Sequence, residues 1–329
     1  MSDQLYLGAL DIGGTKMAVS IANADGPLGR ITRPTPKSGD LGTLARQAIE
    51  MLHALCDDKR VPRDALQTLG VCSAGPFARI DGMLGLAAPN ISGKRSGSAD
   101  LPNDWDVIPL EGPLREVFTT VKIENDCVSA LVAERTFGAV QDEPNCVYVT
   151  WSTGIGFGLC VDGHVLHGKH GNAGHAGHQL MSETSDAVCG CGNVGDLEAL
   201  ISGRNLGNRL GQSTADVFDA ARRGQAQALA IAEEAARRFG RGLYNVAVTL
   251  DTSKFVIGGS VWQHHGEWLL PMVRREIDSR MQALTAGIEL LPAALGSIVA
   301  DVGAFSLVMP QEWVQAWRVS QPWDGLRNR

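Results

Sequence analysis

The sequence predicts an α/β protein in which helices cover β-sheets, and three observations lead to that prediction. Short apolar runs typical of strands alternate first with glycine-rich turns and later with long helical patterns. The 39 glycines make up about 12% of the chain against ~7% on average, and they cluster at the ends of strand-like runs. Hydrophobic residues make up 44% and charged residues 20%, so the chain can build a large core. A length of 329 residues favours about two domains of ~150 residues each.

The first elements are two apolar runs, residues 5–10 and 17–22, on either side of Asp11-Ile-Gly-Gly-Thr-Lys16. This pattern predicts a β-hairpin with a glycine turn. Short apolar segments predict three further, buried strands over residues 121–123, 146–151 and 157–161.

Apolar residues at helical spacing predict helices over residues 41–55, 226–248 and 267–284. Residues 89–106 are polar and rich in Gly, Ser, Pro and Asn, which predicts a surface loop near a lobe boundary. Three of the seven tryptophans follow Pro310. We therefore expect the C-terminal tail to pack against the body of the protein.

Charge and cysteine usage exclude several classes of protein. Lys plus Arg number 29 against 36 for Asp plus Glu, a net charge of −7, so no basic surplus is present to bind nucleic acid. No apolar run approaches the ~18 residues that span a bilayer, and the N-terminus does not have the pattern of a secretory signal. Seven cysteines, an odd number, lie mostly inside apolar runs, which is typical of a reduced, cytoplasmic protein.

The N-terminal hairpin carries a carboxylate, a turn without β-carbons, a hydroxyl and a cation: Asp11, Gly13, Gly14, Thr15 and Lys16. Glycine lets backbone N–H groups approach phosphate oxygens, and a carboxylate can hold a magnesium ion. The same residues would also form an ordinary hairpin turn. The spacing of a P-loop is absent.

Two later segments repeat the pattern of a strand that ends in glycines. The segment over residues 151–158 contains Thr153, Gly154 and Gly156, and could bind phosphate together with the first hairpin. No helix pattern opens directly after it, so it is a weak match to a dinucleotide fingerprint. Gly258 and Gly259 follow another strand-like run and could admit a base or ribose, or simply form a strand-to-helix turn.

Asn125 and Asp126 lie where a predicted strand ends and a helix begins. A carboxylate at that position can accept the proton of a substrate hydroxyl, and such a general base contributes ~10²–10⁴-fold to a rate. The alternative is structural, because an aspartate at this position is also a plausible N-cap of the helix.

Five of the eight histidines fall within residues 164–178 and are followed by a Cys-Gly-Cys sequence. His178, Cys189, Cys191 and Asp196 follow the spacing H-x10-C-x-C-x4-D. One imidazole, two thiolates and one carboxylate make a plausible tetrahedral zinc set, and a set of four protein ligands indicates a structural metal. The alternative is that both cysteines are buried thiols.

These motifs, taken in order, resemble the ROK family (repressors, open reading frames, kinases), which contains bacterial and archaeal sugar kinases within the actin–hexokinase superfamily. The resemblance runs from about Leu7 to Ala304. It rests on the following segments: Asp11-Ile-Gly-Gly-Thr-Lys16, Ser73-Ala-Gly-Pro76, Ala88-Pro-Asn90, Glu124-Asn-Asp126, Thr153-Gly-Ile-Gly156, Gly171-Asn-Ala-Gly-His-Ala-Gly-His178, the Cys-Gly-Cys-Gly run and Ile257-Gly-Gly259.

The resemblance implies a two-lobed actin-like ATPase (ribonuclease H-like) fold with an interlobe cleft, and ATP-dependent phosphorylation of a hexose, normally at C6. Asp126 would take the C6 proton, while the two glycine hairpins handle phosphates and Mg²⁺ and Gly258 and Gly259 lie near the nucleotide. The residues expected to line the sugar pocket are Gly75, Asn90, Asn125, Asp126, His175, His178 and Glu198.

The division that we predict places residues 1–120 with about 302–329 in a small lobe. Residues 121–301 form the large lobe, which carries the zinc and nucleotide sites. The resemblance also implies a homodimer whose partners are a sugar and ATP.

Two positions depart from the pattern of the family. Asp196 replaces the usual third cysteine of the zinc site, and a carboxylate is a harder ligand than a thiolate, so we expect weaker zinc binding. His175 replaces the glutamate of most family glucokinases and is seen in some N-acetylmannosamine kinases. The segment 91–104 also looks longer than usual for the family.

Glucose is therefore the first candidate substrate, and a hexosamine such as N-acetylmannosamine is the alternative. A sugar-responsive repressor is less favoured, because such repressors carry a DNA-binding domain before the first hairpin, which here begins at residue 11.

Overall fold

The computed structural model describes residues 5–96 and 101–327, and the chain divides into two compact units. Unit 1 comprises Met1–Gln141, His167–Ala173 and Ser297–Arg329. Unit 2 comprises Asp142–Leu166 and Gly174–Gly296.

The strands, in chain order, are β1 (Leu7–Ile12), β2 (Lys16–Asn23), β3 (Gly26–Pro34), β4 (Thr68–Ser73), β5 (Phe77–Ile80), β6 (Met83–Leu86), β7 (Ile108–Pro109), β8 (Thr120–Asn125), β9 (Cys146–Trp151), β10 (Ile155–Val161), β11 (His164–Val165), β12 (Lys254–Gly258) and β13 (Glu289–Pro292). The α-helices are α1 (Thr43–Lys59), α2 (Glu111–Arg115), α3 (Asp126–Phe137), α4 (Leu197–Ile201), α5 (Gly203–Asn208), α6 (Thr214–Arg222), α7 (Ala226–Leu250), α8 (Ser260–Asp278), α9 (Gln282–Thr285), α10 (Val299–Val308) and α11 (Gln311–Ser320).

Each unit is built on a five-stranded sheet, and the two sheets share one topology. In unit 1 the strand order is β3-β2-β1-β4-β8, with an antiparallel meander of three strands followed by parallel pairs. In unit 2 the order is β11-β10-β9-β12-β13, again a meander followed by parallel pairs. A third, three-stranded sheet, β5-β6-β7, belongs to unit 1. The predicted α/β class is confirmed.

The register of unit 1 brings three strand ends to one edge of its sheet. Ile12 at the end of β1 is paired with Ser73 at the end of β4, and Ser73 is paired with Asn125 at the end of β8. In sheets of this kind, ligands bind outside the carboxyl ends of the parallel strands. The hairpin after Ile12, the loop after Ser73 and the helix after Asn125 therefore start from neighbouring points.

Each unit has its own hydrophobic core between its sheet and its helices. In unit 1, Leu10, Val19 and Val71 of the sheet are buried with Leu52 of α1. In unit 2 the core contains Trp151, whose ring stacks on Phe239 of α7 at a centroid distance of 4.4 Å. Strands that are covered on both faces are apolar along most of their length. Strands β1 and β9 show this pattern and contribute to the two cores.

Helix α10 packs directly against β4, and a glycine permits the close approach. A β-carbon on Gly70 would lie 1.8 Å from the carbonyl oxygen of Ala304, so any larger residue would push the helix away. The C-terminal tail follows this helix, and Trp313, Trp317 and Trp323 are all buried, as the sequence predicts.

A buried carboxylate, Asp301 on α10, is held by two groups from the meander of unit 1. The hydroxyl of Ser20 donates to Asp301 Oδ1 at 2.5 Å, and Arg30 Nε lies 3.1 Å from both carboxylate oxygens. The side chain of Asp301 is 3% exposed and that of Arg30 is 20% exposed. The pair links the start of α10 to β2 and β3.

Arg30→Ala is expected to lower the free energy of unfolding by about 3 kcal/mol, because it leaves a buried carboxylate without its cation. Urea denaturation followed by circular dichroism measures this loss. Arg46→Ala is the matched control, since Arg46 pairs with Asp40 in solvent, where such pairs contribute less than ~1 kcal/mol. Equal losses in the two variants would show that the buried pair adds nothing to stability.

The observed division of the chain differs from the predicted lobes. Strand β8 pairs with β4, so residues 121–141 belong to unit 1 and the boundary falls at Gln141 instead of 120. His167–Ala173 also joins unit 1. The last segment of unit 1 begins at Ser297, a few residues before the predicted 302.

Two local predictions need correction. The helix predicted over 267–284 is α8, which begins at Ser260 and ends at Asp278, followed by the separate short helix α9. The segment 89–106 is a surface loop only in part, because Ile91 and Trp105 are buried, and residues 97–100 of this segment lie outside the described residues. Within the described ranges, no helix combines the length and the apolar character needed to span a membrane.

Candidate active site and metal cluster

The turn between β1 and β2 in unit 1 is the predicted phosphate hairpin, and the structure confirms the hairpin itself. Gly13 N–H donates to the carbonyl of Lys16 at 3.0 Å, and the hydroxyl of Thr35 donates to the carbonyl of Gly13 at 2.6 Å. A β-carbon on Gly14 would lie 2.7 Å from Asn90 Nδ2. Gly14 therefore lets Asn90, a predicted sugar ligand, reach the hairpin.

Asp11 at the base of this hairpin lies among acidic groups. Burial, together with the negative charges of Asp301 and Asp126, raises the pKa of Asp11 from 3.8 to about 7 against the opposing effects of Arg30 and Lys16. A carboxyl group in such surroundings gains from a nearby cation, which is the property expected of a residue that helps to hold Mg²⁺.

The pKa of Asp11 makes stability depend on pH in a defined direction. Since folding raises this pKa from 3.8 to about 7, the native state binds the proton more tightly, and its stability falls as pH rises across that window. The loss is on the order of 2–4 kcal/mol. Asp11→Asn cannot ionise, so its Tm is expected to fall less than that of the wild type between pH 4.5 and 7.5. Parallel Tm curves for the two proteins would contradict this assignment.

Asn125 and Asp126 lie at the junction of β8 and α3, at the same sheet edge as the hairpin. The N-cap is Asn125 and not Asp126: Asn125 Oδ1 accepts from Cys127 N–H at 2.9 Å, and Asp126 is the first residue of the helix. Asp126 Oδ1 also accepts from Cys127 N–H, at 2.8 Å. Burial raises the pKa of Asp126, which brings this carboxyl closer to the range of a general base at neutral pH.

In unit 2 the turn between β9 and β10 contains Thr153, Gly154 and Gly156, and Glu198 of α4 holds it. Glu198 Oε2 accepts from Ile155 N–H at 2.8 Å. A β-carbon on Gly154 would lie 2.6 Å from the same oxygen. The glycine at this position therefore makes room for a carboxylate, a role that the sequence pattern alone does not reveal.

The third glycine segment follows β12, which runs parallel to β9 with Gly258 opposite Thr150. Gly259 has φ +88°, and a β-carbon there would lie 2.4 Å from the carbonyl oxygen of Trp151. The predicted strand-to-helix turn is confirmed, because α8 begins at the next residue. Both glycine turns of unit 2 thus follow the carboxyl ends of adjacent strands.

The four predicted metal ligands come together in unit 2. The ligand atoms of His178, Cys189, Cys191 and Asp196 all lie within 4.8 Å of one another. His178 Nδ1 is 3.1 Å from Asp196 Oδ2, 3.6 Å from Cys189 Sγ and 3.5 Å from Cys191 Sγ. Cys191 Sγ is 3.7 Å from Asp196 Oδ2. Tetrahedral zinc with bonds of 2.0–2.3 Å requires ligand separations of roughly 3.3–3.8 Å. The two His178–thiol distances and the Cys191–Asp196 distance lie in this range, and the His178–Asp196 distance is slightly shorter.

Neighbouring groups fix the orientation of these ligands. The second oxygen of Asp196 caps α4 by accepting from Ala199 N–H at 2.6 Å, and Asp196 is fully buried. The hydrogen bond that His178 donates to Asp196 raises the pKa of His178 despite burial, and burial raises the pKa of the Cys189 thiol. Cys189 Sγ also lies 3.1 Å from Glu198 Oε1, so Glu198 contacts both the cluster and the β9–β10 turn.

The remaining predicted sugar ligands divide between the units. Gly75 lies in unit 1 in the loop after β4, at the edge that holds Asn125 and Asp126. His175 lies in unit 2, where its ring centroid is 5.9 Å from that of His178 and its carbonyl accepts from His178 N–H at 3.0 Å. Sequence reasoning missed Asp301 and Arg30, because no local motif marks a pair 271 residues apart.

Comparison with known proteins places this chain among sugar kinases. Residues 7–311 match the ROK family. A glucokinase of Aeropyrum pernix is 27% identical over 91% of this chain and 95% of its own length. An N-acetylmannosamine kinase of Escherichia coli is 33% identical over 77% of this chain and 82% of its own length. The solved ROK glucokinase of Streptomyces griseus, in complex with glucose and AMPPNP, is 26% identical, covers 92% of this chain and 99% of its own, and has a TM-score of 0.66.

A regulator of the same family also matches, over less of its length. The xylose repressor of Bacillus subtilis is 29% identical over 69% of this chain and 60% of the repressor. The fold of the solved family kinases is the actin-like ATPase fold that the sequence predicts. With its family match across most of the sequence, this chain belongs to the ROK family.

Proposed function

We propose that this chain transfers the γ-phosphoryl group of ATP to a hexose hydroxyl, with the C6 hydroxyl of glucose as the first candidate and Asp126 as the general base. The observation that carries the proposal is the half-buried carboxyl of Asp126, with its raised pKa, beside Asn125 at the carboxyl edge of the unit 1 sheet. The likeness to glucokinases over nearly the whole chain supports ATP-dependent sugar phosphorylation as the reaction.

The proposed mechanism assigns proton transfer to Asp126 and positioning to the other groups. Asp126 would accept the hydroxyl proton as the sugar oxygen attacks the γ-phosphorus, while Asn125 hydrogen-bonds the same sugar. Phosphoryl transfer needs mainly alignment and neutralisation of charge. Backbone N–H groups of the β1–β2 turn would contact phosphate oxygens, and Asp11 would help to hold Mg²⁺, which neutralises charge when bound. We assign the same phosphate role to Thr153, Gly154 and Gly156, and nucleotide contacts to Gly258 and Gly259.

We also propose that His178, Cys189, Cys191 and Asp196 hold a structural zinc ion. Their donor atoms match the number, chemistry and spacing of a tetrahedral site. With four protein ligands, the ion would supply no open position for water and would instead fix the segment that leads to Glu198 and α4.

The alternative substrate is a hexosamine, and one observation favours it specifically. The chain has His175 where most family glucokinases have glutamate, and an N-acetylmannosamine kinase is among its relatives at 33% identity. Imidazole and carboxylate satisfy different hydroxyl or N-acetyl groups. A cytoplasmic homodimer remains our prediction for the assembly, and light scattering after size exclusion measures its mass.

ADP release tests the proposed function. The panel is glucose, mannose, fructose, allose, N-acetylglucosamine, N-acetylmannosamine and myo-inositol, each with ATP and Mg²⁺. Turnover with glucose supports the first candidate, and turnover with hexosamines alone replaces it by the alternative. If no sugar in the panel is phosphorylated, the kinase proposal is wrong, and sugar-dependent DNA binding becomes the next measurement.

A further inference from the structure

His167–Ala173, which we call the strap, packs within unit 1, although the residues on both sides of it in sequence belong to unit 2. The strap closes on itself, because Ala173 N–H donates to the carbonyl of His167 at 3.0 Å. Gly168 and Gly171 have φ +72° and +78°, values that glycine adopts without strain. The strap is therefore a compact loop with a defined conformation.

The side chain of Asn172 in the strap forms two hydrogen bonds with the backbone of Phe77, one from each end of its carboxamide. Phe77 N–H donates to Asn172 Oδ1 at 2.7 Å, and Asn172 Nδ2 donates to the Phe77 carbonyl at 2.9 Å. The carboxamide oxygen of asparagine accepts and its NH2 group donates, so this one side chain pairs with both backbone polar groups of Phe77. Gly171 lies over the ring of the same residue, since a β-carbon there would be 3.6 Å from Phe77 Cδ2.

Phe77 joins two of the chain segments that carry predicted sugar ligands of unit 1, those of Gly75 and Asn90. It begins β5 two residues after Gly75, and it pairs with Leu86 at the end of β6. Next to this pair, Ala87 N–H donates to the carbonyl of Pro76 at 2.9 Å. The chain then runs directly on to Asn90, whose side chain reaches the β1–β2 turn. A shift of Phe77 would therefore move both Gly75 and Asn90.

The other end of the strap touches the segment that carries the proposed base. His167 Nδ1 lies 3.0 Å from a carboxylate oxygen of Glu124. Glu124 immediately precedes Asn125 and Asp126. The strap thus contacts two of the three backbone segments that emerge at this edge of unit 1, the one after β4 and the one at the end of β8.

We propose that Asn172 is a positioning residue for sugar binding: by holding both backbone polar groups of Phe77, it fixes Gly75 and Asn90 where a sugar would meet them. The inference rests on the proposed function, because it assumes a sugar at this edge. It assigns Asn172 no contact with the sugar or with the reacting atoms. Its effect reaches the substrate only through the backbone of residues 74–77 and 86–90.

A purely structural role predicts different results from a positioning role. If the Asn172–Phe77 hydrogen bonds only stabilise the fold, their loss lowers Tm and changes the KM values for sugar and ATP alike, or neither. If they position the sugar ligands, the KM for sugar rises while the KM for ATP and kcat stay nearly constant. Misplacing a binding group by a fraction of an ångström to 1 Å is sufficient for an effect of about 10-fold or more.

The experiment compares Asn172→Ala and Asn172→Ser with the wild-type chain. The substrate is glucose, N-acetylmannosamine or both, according to which of them the wild type phosphorylates. We expect Asn172→Ala to raise the sugar KM by about 10-fold through the displaced sugar ligands, with kcat and the KM for ATP within about threefold. Hydrogen exchange at the Phe77 amide should accelerate. Asn172→Ser retains one hydroxyl partner for Phe77 and should give an intermediate sugar KM.

Asn145→Ala is the matched control, because Asn145 Oδ1 also accepts from a backbone N–H, that of Asp162 at 2.8 Å, but belongs to unit 2. It should leave the sugar KM unchanged. An active wild type whose Asn172 variants keep the sugar KM, or change both KM values together with Tm, overturns this inference alone. If Asn172→Ala does not fold, Asn172→Ser decides by the same criteria. A wild type that phosphorylates neither sugar overturns the inference together with its premise.

Discussion

Asp126→Asn is expected to lower kcat by about 10²–10⁴-fold, because it removes the group that accepts the hydroxyl proton and preserves the shape of the side chain. The cap of α3 should survive this change, because Asn125 Oδ1 still accepts from Cys127 N–H and the amide oxygen at position 126 can replace the contact that Asp126 Oδ1 makes with the same N–H. The KM for sugar is therefore expected to change much less than kcat. Steady-state ADP release at saturating sugar and ATP measures the effect.

The pH dependence gives a second test of the same residue. Burial raises the pKa of Asp126, so the wild-type rate should begin to fall with acidification at a higher pH than an ordinary carboxyl group would cause. The residual activity of Asp126→Asn should lack this acidic limb. Asp57→Asn is the matched control, since Asp57 is an exposed aspartate of unit 1 that pairs with Arg63. A variant with wild-type turnover would remove Asp126 from the mechanism and leave proton acceptance to another group.

Sequence reasoning located the parts of the site that depend on short-range patterns. The β1–β2 hairpin, the β9–β10 turn and the strand-to-helix turn at Gly258 and Gly259 are each encoded by an apolar run that ends in glycine. The cluster of four candidate metal ligands was predictable for the same reason, because three of its four members lie within residues 189–196. Local spacing constrains such features before any tertiary contact forms.

Features that depend on tertiary packing could not be predicted from the sequence. Helix α8 contains Gly266 and Pro271, which have poor helix propensity, yet it forms because Leu269, Val273 and Ile277 of its apolar face are buried in the unit 2 core. The start of this helix at Ser260 was missed for that reason.

Long-range pairing had no local signal either. The assignment of β8 to unit 1 follows from pairing with a strand about 50 residues earlier, and the contacts of Asn172 span 95 residues. The N-cap of α3 was misassigned by one position, because Asn and Asp are nearly equal as N-cap residues and both stand at the junction. Only the backbone conformation distinguishes them.

The second large effect that we expect is a loss of bound zinc when Asp196 is substituted. The wild-type chain is expected to bind one zinc ion through His178, Cys189, Cys191 and Asp196, and Asp196→Ala should weaken binding by at least about 10–100-fold, the range already seen for the loss of outer-shell partners. Metal analysis after dialysis against a chelator measures the content, and the Tm of loaded and metal-free protein gives a readout independent of catalysis.

Two further variants separate the metal role of Asp196 from its structural role. Asp196→Asn retains an oxygen that can accept from Ala199 N–H and cap α4, but it removes the negative charge, so it should lose zinc with little loss of the cap. Asp196→Cys should bind zinc more tightly than the wild type, since a thiolate is a softer ligand than a carboxylate, although it loses the cap. The control variant Cys160→Ser, which changes a buried thiol outside the cluster, should bind zinc as the wild type does.

The affinity for zinc should increase with pH, because zinc must displace the protons of Cys189 and His178, whose pKa values are both raised. A folded wild-type protein that takes up no zinc at any pH would instead identify these four side chains as a hydrogen-bonded cluster in which the imidazole of His178 and the carboxylate of Asp196 satisfy each other.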